Sequence, residues 1–112
     1  MKLQNPFPDW VRELWRDAFH CGECGSNGVD TGGVTLHHIT SRDSNSPLNS
    51  IPLCGDCHIK VGHTQQERQE YFAVSYCHIV IGHGYELQDE DYRHLERHKY
   101  LFEKNPFLEI LF

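Results

Sequence analysis

Cysteine and histidine carry the chemistry of this chain. Cys21-Gly22-Glu23-Cys24 and Cys54-Gly55-Asp56-Cys57 are two Cys-x-x-Cys knuckles; the pair His37-His38 lies between them and His58 abuts the last cysteine. Four thiolates satisfy a tetrahedral zinc ion, and such a closed site is structural because no coordination position is left for a substrate. A mixed set of three cysteines and one histidine, with His58 as the fourth ligand, is also compatible with the spacing. The four-cysteine reading leaves His37, His38 and His58 without a zinc to explain them, and so points to a second site. A neutral imidazole, with an ordinary pKa of about 6.5, is suited to take a proton from water near neutral pH. Hydrolysis of a phosphodiester needs that base, together with a group that stabilises charge on the leaving oxygen, which a divalent cation can supply.

Taken in order, Cys21-x-x-Cys24, Leu36-His37-His38-Ile39, Asn49 and Leu53-Cys54-x-x-Cys57-His58 resemble the zinc-knuckle HNH endonucleases, the ββα-metal nucleases. The resemblance covers about residues 21–63, and the name-giving positions are His38, Asn49 and His58. It implies hydrolysis of double-stranded DNA with 5′-phosphate products. His38 would be the general base, and Asn49 would orient it through the strand–loop backbone. His37, at a position often aspartate in relatives, and His58 would hold a catalytic Mg²⁺, Mn²⁺ or Ni²⁺ that stabilises the 3′ leaving oxygen. His63 is a third candidate ligand. Five residues along an unbroken helix would rotate it ~140° from His58, so it joins only if Gly62 ends the helix. Arg42 and Lys60 are candidate phosphate contacts. A stand-alone HNH domain this short resembles those of phages and mobile elements. Two other functions are open: a non-catalytic zinc-knuckle adaptor for nucleic acid or protein, and an HNH nuclease acting on RNA or branched DNA.

Consecutive residues on a flat strand face opposite ways, so His37 and His38 can share a pocket only where the strand ends, twists or bulges. The elements that must position them are legible in outline. The β-branched run after Gly33 reads as a strand to Ile39. Ser41 to Ser50 reads as a polar loop, and Ile51-Pro52-Leu53 as a strand confined by its proline to an edge. A short helix follows the second knuckle to about Val61, with Gly62 as its stop. Pro8-Asp9-Trp10 opens an N-terminal helix whose stripe of Trp10, Val11, Leu14, Trp15, Ala18 and Phe19 reads as core-facing rather than nucleotide-stacking. Thr64-Gln65-Gln66-Glu67 has the pattern of a capping box at the start of a helix that packs through Tyr71, Phe72, Val74, Ile79 and Val80. Cys77 reads as a small buried hydrophobe on that helix. A last helix covers roughly Gln88 to Lys104. The remaining histidines, His20, His78, His83, His94 and His98, read as surface or packing residues, although His94 and His98 share a helical face.

The expected architecture is α+β: a small ββα-metal core stapled by zinc, flanked by an N-terminal helix and two C-terminal helices. The 112 residues make one domain, with the motif core at about 21–63 and a helical extension at about 64–112. A chain this small gains much of its stability from a metal that closes a loop of about thirty residues. Its formal charge of −6 argues against a general nucleic-acid binder. The distribution softens the objection, because residues 33–63 balance Arg42 and Lys60 against Asp43 and Asp56, while acidic runs such as Asp89-Glu90-Asp91 lie later. Five cysteines, an odd number, and the absence of a visible signal peptide or of an apolar run of ~20 residues predict a soluble protein of the reducing cytoplasm. The apolar residues 107–112 are expected to pack back on the domain, or to meet a protein partner or a second copy of the chain.

Overall fold

Residues after Gly33 form β1 (Val34–His38), and the apolar run Ser50–Cys54 forms β2. The two pair antiparallel, with Val34 opposite Cys54, Leu36 opposite Pro52 and His38 opposite Ser50. The computed structural model describes residues 7–109. Pro52 sits in this sheet without losing a ladder bond, because its carbonyl, and with it the missing N–H, faces the free edge. There the carbonyl accepts from the Gly22 N–H at 2.7 Å, which ties the first knuckle to β2.

Around this pair the order is α1 (Asp9–Leu14), a 3₁₀ turn (Arg16–Ala18), β1, a 3₁₀ turn (Pro47–Asn49), β2 and α2 (Gly55–Ile59). Then come α3 (Gln65–Tyr76), a π-wound segment (Cys77–Gly82), α4 (Asp89–Arg97), a 3₁₀ turn (Lys99–Leu101) and α5 (Pro106–Glu109). The α+β class, the ββα core and the flanking helices agree with the sequence reading. No helix among the described residues is long and apolar enough to cross a membrane.

Two apolar clusters hold these elements together. Cys21, Ile39, Ile51, Leu53, Cys54 and Tyr71 form one beneath the sheet. Trp15, Leu48, Phe72, Ala73, Ile79, Leu101 and Leu108 form the other between the helices. The α3 helix belongs to both, through Tyr71 and Phe72, and so joins the metal core to the helical extension. Gly55, which opens α2, lies against the turn before β1: a Cβ there would meet the Thr31 carbonyl oxygen at 2.8 Å.

Several local expectations are corrected. Only Val11 and Trp15 of the N-terminal stripe are deeply buried, whereas Trp10 and Phe19 are largely exposed. The α-helix stops at Leu14, so the stripe does not run on along one axis. The last long helix ends at Arg97 rather than near Lys104, and Cys77 is exposed at the start of the π-wound segment. The left-handed residue after α2 is His63, with φ of 60°, not Gly62. Thr64 caps α3 as expected, accepting from the Glu67 N–H at 3.1 Å. The Glu67 carboxylate, however, accepts from the Gly62 and His63 N–H groups at 3.0 and 2.8 Å instead of completing the box. Glu67 thereby holds His63 in a conformation that non-glycine residues rarely adopt. The buried Leu108 packs part of the apolar tail on the helical core; residues 110–112 lie outside the described residues.

Candidate active site and zinc knuckle

Cys21, Cys24, Cys54 and Cys57 converge, each offering a sulfur within 4.8 Å of the others. The Sγ atoms of Cys24 and Cys54 are 3.8 Å apart, which matches the ~3.8 Å edge of a tetrahedron with zinc–sulfur bonds of ~2.3 Å. Backbone N–H groups of Glu23 and Cys24 point at Cys21 Sγ from 3.4 and 3.5 Å, the usual support for a thiolate in such a knuckle. A hydrogen bond from Thr31 brings the Cys54 thiol down to about 6, while burial and the adjacent sulfurs of Cys21 and Cys54 push Cys57 up. The donor set therefore fits structural Zn²⁺. His58 is turned away from this cluster toward His37.

The histidines gather at the other end of the sheet. A cavity of about 260 Å³ is lined by His37, His38, His58 and His63, with Thr40, Ser41 and Arg42 at its polar wall. His37 is the penultimate residue of β1 and is buried, with its ring 6.3 Å from that of Tyr71 on α3. Its Nδ1 lies 3.2 Å from Nε2 of His58, which α2 projects from the turn just past the knuckle. His63 stands farther off, its ring centre 6.1 Å from that of His37. His37 and His38 are neighbours on β1, yet both line the cavity, at the point where the strand ends.

Burial is the main force on His37: with the charges of His58, His63, His38 and Arg42 it holds the imidazole far below its usual range, at about 3. The ring is neutral at physiological pH and has lone-pair density to give. Its Nε2 is buried without a hydrogen-bond partner among the described residues. Two imidazole nitrogens 3.2 Å apart in a polar recess have a spacing that one divalent ion could bridge, and His63 stands outside that pair.

His38 is held differently. Its ring stacks on Phe7 at 3.9 Å and 12°, and its Nε2 lies 3.1 Å from Oδ1 of Asn45. Burial lowers its pKa, and the Asn45 hydrogen bond partly opposes that shift. The loop that follows is shaped by Asn49, which is fully buried. Asn49 Oδ1 accepts from the Thr40 N–H and hydroxyl at 2.9 and 3.1 Å, and its Nδ2 donates to the Ser41 and Ser44 carbonyls, both at 2.9 Å. These four bonds tie Asn49 to the loop after His38, at Thr40 and Ser41 of the cavity wall and at Ser44 behind it.

Arg42 lines the cavity, but Lys60 does not. It borders a separate cleft with Glu23, Cys57, Glu67 and Tyr71. Spacing alone gave no hint of Phe7, Asn45 or Arg68, whose Nη2 donates to the Thr40 carbonyl at 3.3 Å. Away from the cavity Asp17, His78 and His83 also converge. There, Nε2 of His78 is 2.6 Å from the Leu14 carbonyl oxygen and 3.9 Å from Asp17, and its ring stacks on Trp15. That nitrogen is committed to pinning the N-terminal turn.

The order of knuckle, strand-end histidines, buried loop asparagine, second knuckle and histidine-bearing helix is what a family comparison can decide. Residues 21–64 match the HNH endonuclease family model. The chain carries an HNH core. The match spans less than half of the 112 residues, and α3, α4 and α5 lie beyond it. No curated protein and no solved structure matches the chain. The match supports nuclease chemistry at the level of the family.

Proposed function

We propose that this HNH protein is a metal-dependent endonuclease that hydrolyses phosphodiester bonds of double-stranded DNA. The observation that carries the reading is the single cavity lined by His37, His38 and His58, in which one imidazole is held apart from two that face each other. That division suits one histidine to proton transfer and two to a cation. In this reading His38 takes a proton from the water that attacks phosphorus. His37 and His58 would hold a divalent ion, which would supply Lewis-acid stabilisation of charge on the 3′ oxygen. Asn49 keeps the loop after β1 in place and makes no bond to the substrate. Arg42, on the cavity wall, contacts a phosphate oxygen, and His63 lines the same cavity, its ring centre 6.1 Å from that of His37. Lys60 acts only through its charge on a longer path of the duplex.

Incubating supercoiled plasmid with the zinc-loaded protein and Mg²⁺, Mn²⁺, Ni²⁺ or EDTA tests this reading. Nicked or linear product that requires an added cation supports it. Parallel single-stranded RNA and branched-DNA substrates decide the substrate class, and the reading predicts that duplex DNA is cut fastest. Failure to cut any substrate with any cation, from protein that retains its zinc, would favour the non-catalytic adaptor.

A further inference from the structure

The acidic run Asp89-Glu90-Asp91 opens α4, outside the HNH match, and its carboxylates grip the loop that follows His38. Glu90 Oε2 accepts from the Asn45 N–H at 3.2 Å, and Asp91 Oδ1 accepts from the Ser46 hydroxyl at 2.5 Å. Asp91 is itself fully buried and fixed by the Tyr85 hydroxyl at 2.6 Å and the Gln88 N–H at 2.7 Å. Nearly two turns further on, Arg97 donates to Asp43 at 2.9 Å. The loop is thus held at three points, Asp43, Asn45 and Ser46, and at the middle one Asn45 turns its amide oxygen toward His38.

A carbonyl oxygen only accepts hydrogen bonds, so the 3.1 Å contact places the His38 proton on Nε2 and leaves Nδ1 as the basic atom. Phe7 fixes the plane of the ring but is indifferent to which nitrogen carries the proton. Asn45 supplies the missing selection. We propose that Asn45 is a positioning residue that holds His38 in the Nε2–H tautomer, and that the acidic start of α4 holds Asn45 in place. The inference rests on His38 being the base of the proposed nuclease. It brings α4 into support of the site: residues 21–64 contain Asn45 but lack the carboxylates that hold its loop.

Long-range ¹H–¹⁵N spectra of the full-length, zinc-loaded protein test this, with His38 assigned by comparison with His38→Gln. The intact chain should show the Nε2–H form of His38. In Asn45→Ala the ring should become a mixture of both tautomers, kcat should fall roughly 10–100-fold, and KM for DNA should stay within about twofold. Asn45→Asp, which keeps an acceptor oxygen, should restore the tautomer and most of the rate. Glu90→Gln, which weakens the clamp while leaving Asn45 present, should move both readouts in the same direction by less. An Nδ1–H form in the intact protein, or a tautomer and kcat unchanged in Asn45→Ala, would overturn the proposal. The spectra decide the Asn45–His38 relationship even if the intact protein cuts no DNA, an outcome that would count against the nuclease reading alone.

Discussion

Nδ1 of His37 and Nε2 of His58 stand 3.2 Å apart although 21 positions separate the residues in sequence. One imidazole comes from the end of a strand, the other from the turn that closes the second cysteine knuckle. The sulfur cluster and the histidine cavity are therefore one construction. The backbone that brings Cys54 and Cys57 to the zinc site also sets the direction of His58.

Zinc removal should accordingly dismantle both. Small zinc domains draw ~10–16 kcal/mol from the metal at neutral pH, more than the net stability of most domains. A strong chelator, or Cys54→Ser, should abolish the cooperative thermal transition followed by far-UV circular dichroism. Mg²⁺ should not restore it. A melt unchanged after verified zinc loss would show that the apolar clusters suffice.

Replacing His58 should separate the two metals. His58→Ala is expected to keep one zinc per chain, because four sulfurs remain. Cleavage should fall by roughly 10²-fold or more, with the required concentration of catalytic cation rising. Zinc content measured alongside the cation dependence checks both halves. Loss of zinc instead would favour the mixed three-cysteine, one-histidine set.

Asn49→Ala strips four hydrogen bonds from a buried loop and leaves the Ser41 and Ser44 carbonyls unpaired by the side chain. A loss of about 3 kcal/mol is expected in urea denaturation, because buried polar groups left without partners cost about 1–3 kcal/mol each and water recovers some of them. Cleavage by the fraction still folded should also drop, since the loop carries Asn45 and Arg42.

His94 gives the fold a specific sensitivity to acid. It is almost fully buried on α4 and both ring nitrogens lack partners among the described residues. Burial, helped by the charges of His98 and Arg97 and opposed by Asp43 and Asp91, lowers its pKa to about 4. Between about pH 6.5 and 4 the unfolded chain takes up the proton and the folded chain does not. Its contribution to stability is therefore full above that window and falls by about 1.4 kcal/mol per unit as pH drops through it. Urea denaturation at pH 7, 6 and 5 should show a shallower fall in His94→Leu than in the intact chain. Equal slopes would contradict the assignment.

The knuckles, the strand-end histidine pair, Asn49 and the helix carrying His58 were legible because each is a short-range pattern of residue types tied to a definite chemistry. The clamp of α4 on the loop was not. Glu90 meets Asn45, and Asp91 meets Ser46, 45 positions away in each case, and no local spacing marks such a pair. The acidic run consequently looked like surplus charge. The same limit explains Glu67, whose place in a capping pattern was correct while its carboxylate serves Gly62 and His63. Winding changes were hidden too: α1 ends at Leu14 and leaves Phe19 exposed, and the passage from α to π winding begins at Cys77, which is exposed. Lys60 was grouped with Arg42 by charge, and only the fold separates them into different clefts.

The assignment of His38 as general base is tested most directly by single-turnover plasmid nicking, comparing the intact chain with His38→Ala at saturating divalent cation. A fall of roughly 10²–10⁴-fold, with zinc content and thermal melt unchanged, is the predicted result. Cleavage that persists at the intact rate in well-folded His38→Ala would remove the base from the mechanism, and the account of the cavity with it.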